Sequence, residues 1–267
     1  MAITLASAIP LGLYATWYRT EYGRFTLVRG SGSALWARTM TFANCAEIKP
    51  PAEEAPLCPN GAKQEAAEGY FWASDSPLNS MPGGRKENDA LAQSFAIRAI
   101  LAQPADYVRT VATQVAFAFH WTPVRYPPRT TPAFGFAGDR MPDSVPDWAS
   151  TALHRYAPTA DGGDNAVEPY AGFLRWYQYP AYLRGPFLAV IFLLGALGLR
   201  NGRSFLSWAT AAILLVAPVA ALDFDHRYVL PAIPLACMAA GLGSLRDPRM
   251  SVPSSRRPAR LLEGASR

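Results

Sequence analysis

The stretch ALDFDHRYVLPAIP (220–233) places Asp223, Asp225, His226, Arg227 and Tyr228 between runs that are nearly free of charge. Paired carboxylates can do acid–base work or hold a divalent cation, and an arginine can bind phosphate through charge-assisted N–H bonds. Asp223 and Asp225 alternate, so in an extended turn both face one side. There they would orient Arg227, with His226 assisting. Tyr228 follows as an aromatic suited to headgroup depth. The plain alternative is a solvated turn in which an exposed Asp–Arg pair does no more than fasten the chain, worth about 0–1 kcal/mol.

Elsewhere the sequence offers little recognisable chemistry. It contains no GxSxG, HExxH, CxxC or Walker motif. Gly30 and Gly32 with their flanking serines do not form a phosphate loop, because no GK[ST] follows. His120, His154 and His226 are far apart in sequence, so no metal site is assigned. His120 closes an apolar helical run and reads as a capping or packing residue. No catalytic residue is assigned, and the cofactor is open, with a divalent cation on the acid pair as one option.

The turn is set by the apolar segments around it. Of 267 residues half are hydrophobic and 17% are charged, below the roughly 25% of an average soluble domain. The deficit is uneven. Residues 19–183 have a polar surface composition, whereas PFLAVIFLLGALGL (186–199), SFLSWATAAILLVAPVAAL (204–222) and YVLPAIPLACMAAGLGSL (228–245) are almost uncharged. The second and third are long enough to span a bilayer. The first covers about 21 Å and becomes adequate only if it starts near Tyr179, with Arg184 snorkelling beside the aromatic RWYQYPAY. The alternative, three buried helices of a soluble bundle, conflicts with the lack of a polar stripe. The formal charge of +5 does not suggest nucleic acid, since no basic stripe with interleaved aromatics occurs.

RNGR (200–203) and the arginine-rich tail after the last segment are short and basic, so the positive-inside rule puts both in the cytoplasm. Segment 19–183 and the DFDHR turn then lie outside. Residues 1–18 are apolar but lack a positive n-region, and so resemble a short, partial span more than a signal peptide. Cys45 and Cys58 flank a proline-rich loop and pair in an oxidising compartment; two unrelated buried thiols are the alternative. Cys237, inside an apolar run, reads as packing. The text of 21–42, with β-branched and aromatic residues around GSGS, predicts strands. Asn88 predicts a helix N-cap, Pro104 starts a second helix, and 122–170 reads as long loops.

The expected fold class is therefore a mainly α membrane protein, with three to four transmembrane helices and an α+β extracytoplasmic domain. Its boundaries are a partial transmembrane helix over 1–18, the outer domain over 19–183, three spans over 184–246 and a basic cytoplasmic tail over 247–267.

The order LYATWYRTEYGRFTLVRGSGSALWARTMTFANCAEI, a Cys-Pro-rich loop, NDALAQSFAIRAILAQPADYVRTVA, AGFLRWYQYP and FDHRYVLPAIP resembles the C-terminal portion of actinobacterial multi-spanning membrane glycosyltransferases. These are GT-C-class enzymes that take sugar from a polyprenyl-phosphate carrier. The resemblance implies an enzyme working at the outer membrane face. It also implies a catalytic acid in a first outer loop, which this chain lacks, and that role is not transferred to Glu21 or Asp223. Two functions follow. One is part of such a transferase, truncated or split, with membrane lipid, a polyprenyl-phosphate carrier and a chain carrying further spans as partners. In that reading Asp223, Asp225, His226, Arg227 and Tyr228 are the lipid-phosphate candidates. The other is a non-catalytic membrane-anchored module whose outer domain binds a glycan or a protein, with Trp121, Tyr126, Trp148, Trp176 and Tyr177 available to stack on sugar rings.

Overall fold

The structure is a computed structural model that describes residues 2–23, 25–28, 30–61, 64, 66–124, 126, 151, 155–156 and 167–244. Trp148, His154 and the tail 247–267 lie outside the described residues. The described chain is mainly helical, and no strand occurs among the described residues.

Helix α1 covers Ala2–Tyr22, past the expected limit at residue 18. Helix α2, Ser31–Thr39, replaces the strand expected across 21–42. Its start explains the difference. Gly30 takes a left-handed backbone (φ 94°) immediately before the helix, a conformation open to glycine at little cost. Ser33 then donates from both its N–H and its hydroxyl to the Asp89 carboxylate, each at 2.8 Å. GSGS is thus a helix entry rather than a hairpin turn, and its cap comes from a residue 56 positions away. A Cβ on Gly32 would lie 2.1 Å from the Asp89 carbonyl, so only glycine allows this approach.

The short helices α3 (Cys45–Ile48), α4 (Ala67–Trp72), α5 (Pro77–Ser80) and α6 (Gly84–Glu87) connect α2 to α7, Asp89–Ala102. The predicted start at Asn88 stands, but Asn88 caps nothing with its side chain and donates instead to the Pro82 and Gly84 carbonyls. Trp36, Met40, Leu57, Tyr70, Leu78 and Phe95 form the core of this unit, with Trp36 Nε1 donating to the Leu57 carbonyl at 3.1 Å. Cys45 and Cys58 are disulfide-bonded, with Cα atoms 6.1 Å apart, and pack against the same core.

Helix α8, Pro104–Ala116, starts on proline as expected and ends in a 3₁₀ turn, Phe117–Phe119. Three apolar helices lie where the sequence put them: α10 (Gly185–Leu197), α11 (Phe205–Ala221) and α12 (Val229–Ser244). α9 (Tyr170–Ala181) precedes them. Among the described residues no single helix is long and apolar enough to cross a membrane, but α9 and the helical stretch from Gly185 to Arg200, bent by 42°, have the length and composition together. α10 passes into a 3₁₀ turn over Gly198–Asn201 and stops at the left-handed Gly202, close to the end of the apolar run 186–199.

α10 crosses α12 on small residues. A Cβ on Gly198 would fall 2.4 Å from the Gly243 Cα, and one on Gly195 would fall 3.1 Å from the Ala239 Cβ. Such contacts bring backbones close enough for dispersion and polar contacts to act between helices. Trp208 Nε1 donates to the Phe192 carbonyl and Ser204 Oγ to the Gly195 carbonyl, tying α11 to α10. The second core combines Leu188, Ala211, Leu215, Val219, Ala232 and Ala236 with Phe224 from the turn, and Val111 and Val115 of α8 pack against it. α8 therefore joins the disulfide-bonded unit to the apolar helices.

Candidate functional site

The loop between α11 and α12 carries the charged cluster, and it splits in two. Asp225 has an extended backbone and caps the 3₁₀ turn His226–Tyr228, accepting the Arg227 N–H at 2.9 Å. The two acids nevertheless do not share a side. Asp223 turns inward and is buried, while the Asp225 side chain is 43% exposed.

Outside, Asp225 Oδ2 lies 2.9 Å from Arg227 Nε, and the Arg227 guanidinium sits 5.5 Å from the Tyr228 ring centre. Asp225, Arg227 and Tyr228 are thus brought together. Asp223 is not part of this group.

Inside, Asp223 accepts the Phe224 N–H on Oδ1 and the Glu68 N–H, at the start of α4, on Oδ2, both at 3.1 Å. Arg38 of α2, 0% exposed, places Nη1 3.7 Å from Asp223 Oδ1. The same nitrogen donates to Gln114 Oε1 of α8 at 2.8 Å and, at 3.5 Å, to the Leu222 carbonyl. Gln114 Nε2 donates to the Tyr126 hydroxyl. Burial pushes the Tyr126 pKa well above the usual phenol range, and hydrogen-bonded Asp223 pushes it further. Burial also lowers the Arg38 pKa, against the opposing pull of Asp223, but a guanidinium stays protonated in a protein. One buried cation, one buried carboxylate and two neutral polar side chains therefore meet where the disulfide-bonded unit rests on the apolar helices.

His226 lies between the two groups. Its ring stands edge-on to Phe224 at 5.0 Å and to Tyr182 at 6.4 Å. Burial lowers its pKa, although a hydrogen bond to the Val124 backbone and the charge of Asp225 act in the other direction. Its Nε2 is buried without a hydrogen-bond partner among the described residues.

Among the described residues, no group of three or more His, Cys, Asp and Glu side chains is placed to hold a metal ion. His120 lies edge-on to Phe117 at 5.9 Å, and its carbonyl accepts the Gly185 N–H at 3.0 Å, consistent with packing and capping. Of the aromatic candidates, Trp121, Trp176 and Tyr177 are exposed and Tyr126 is half-buried in the Arg38 cluster. Cys237 is exposed rather than packed.

Sequence reading missed Arg38 and Gln114, and named Tyr126 only as an aromatic available to stack on sugar. The available signal was Arg38 itself, one helical step from Trp36, Ala37 and Met40, all of which are buried. No family model matches the chain, and no curated protein or solved structure matches it.

Proposed function

We propose that this chain is the C-terminal part, truncated or split, of a membrane glycosyltransferase that takes sugar from a lipid-phosphate carrier at the outer membrane face. The catalytic acid comes from a partner chain carrying further spans. The observation that carries this reading is the exposed Arg227, oriented by Asp225 beside Tyr228 at the start of apolar α12. A cation and an aromatic at the end of an apolar helix suit the depth of lipid phosphate, and a guanidinium held by a partner loses less freedom on binding. The bent apolar pair supports membrane association. The disulfide supports an oxidising location for the segment 19–183.

Arg227→Gln tests the assignment. The variant keeps its fold and co-purifies with less polyprenyl phosphate by mass spectrometry; full retention of the carrier sinks it. For topology, single cysteines introduced into a Cys237→Ser background at 130–165 react with an impermeant reagent in intact cells, and those at 250–265 do not. The reverse pattern refutes the outside placement.

The exposed aromatics of α9, Phe173, Trp176 and Tyr177, favour a second reading, a non-catalytic module that stacks on glycan. Retention of the chain on immobilised glycan, lost in Trp176→Ala, separates it from the first.

A further inference from the structure

Among the described residues, the environment of Arg38 uses one of its three nitrogens. Nη1 serves Gln114, the Leu222 carbonyl and Asp223. Nε and Nη2 are buried with no hydrogen-bond partner among the described residues. These two nitrogens form the side edge of the planar group, whose parallel N–H bonds match two oxygens of a phosphate or carboxylate. The charge cannot be shed by deprotonation, and buried donors in folded proteins are ordinarily satisfied.

Asp223 does not close this edge. Its oxygens accept the Phe224 and Glu68 N–H groups and it is also hydrogen-bonded to Tyr126, and its nearest approach to Arg38 is to Nη1. The carboxylate therefore holds the guanidinium from one end and leaves the other pair of donors open. Gln114, itself buried, fixes the same end at 2.8 Å. Tyr126, half-buried, is the most exposed side chain of the cluster and marks its solvent side.

We propose that the Nε/Nη2 edge of Arg38 is an oxyanion receptor that takes a phosphate group side-on, with Tyr126 as the wall that yields on entry. The phosphate can be free or carried on a lipid. Only the lipid-borne form rests on the glycosyltransferase reading, and it adds a second phosphate contact at the junction of the two units, separate from Arg227.

The full chain in detergent micelles, labelled with ¹⁵N-arginine, is titrated with sodium phosphate at constant ionic strength and, separately, with decyl phosphate. The Nε–H resonance missing from Arg38→Lys shifts and saturates, and by isothermal titration calorimetry Arg38→Lys, which keeps the charge but loses the fork, binds about tenfold more weakly than wild type. Arg227→Gln leaves this resonance and its titration unchanged. Should Arg38→Lys fail to fold, Tyr126→Phe, which removes a single hydroxyl beside the guanidinium, identifies the resonance in its place. Saturation by both ligands supports the receptor in its lipid-borne form. Saturation by inorganic phosphate alone supports the receptor and removes the lipid from it. If neither ligand saturates that resonance, or Arg38→Lys binds as tightly as wild type, the receptor is refuted, while the lipid-phosphate reading still stands or falls on Arg227→Gln.

Discussion

Replacing Asp223 by Asn tests whether the two acids of the DFDHR turn do different work. Asp223 is 5% exposed, faces a completely buried Arg38 and accepts two backbone N–H groups. Its neutral replacement leaves the Arg38 charge without a buried counter-charge, and it can satisfy the two N–H groups only in part. Breaking a buried pair from one side costs about 3–5 kcal/mol. The 3.7 Å separation and the lack of a direct Arg38–Asp223 hydrogen bond put Asp223→Asn at the lower end, about 3 kcal/mol. Asp225→Asn, in a pair whose side chains are 43% and 69% exposed, costs about 0–1 kcal/mol. Denaturant unfolding of the full chain in mild detergent, followed by the fluorescence of buried Trp36, measures both. If Asp223→Asn lies within about 0.5 kcal/mol of Asp225→Asn, inside the range expected of a surface change, the buried pair does not carry the load assigned to it. A further check uses the pair as a unit. Arg38→Met with Asp223→Leu recovers the part of the loss due to the unpaired charge. It does not recover the part due to the Phe224 and Glu68 N–H groups, which Leu leaves without an acceptor.

Reducing the Cys45–Cys58 bond reopens a loop with a sequence separation of 13 and lowers stability by about 3 kcal/mol in the chain-entropy model, read as a drop in Tm with and without reductant. Burial holds the His226 pKa below its ordinary value, so the fold favours the neutral ring. Its contribution is complete above the unfolded pKa of about 6.5 and is lost as pH falls from there through the folded value. Denaturant midpoints taken between about pH 7.5 and 5.5 then fall less steeply in His226→Gln than in wild type, and equal slopes reject the claim. Gly198→Ala drives a methyl to 2.4 Å from the Gly243 Cα, forcing α10 from α12 and costing about 1–3 kcal/mol; an unchanged unfolding midpoint disproves the close crossing.

Several elements were legible because their causes are local. Apolar runs mark α10, α11 and α12, and Pro104 fits a first helical turn where its missing N–H costs nothing. Two cysteines around a proline-rich loop are close enough along the chain to pair, and they do.

The sequence by itself determined where the helices of the C-terminal third lie, where α7 and α8 begin, and that charge is concentrated at one turn. Those properties follow from unbroken apolar runs and from residues that favour helix ends. Only the tertiary structure decided that GSGS opens a helix, because its cap, Asp89, comes from another element. Only it decided that Asp223 and Asp225 part company, and that the deepest charge in the site is Arg38. Arg38 meets Gln114 across 76 positions and Leu222 across 184. Whether a carboxylate is solvated or buried against a cation depends on which distant surfaces close over it, and neither the composition nor the spacing of the turn carries that information.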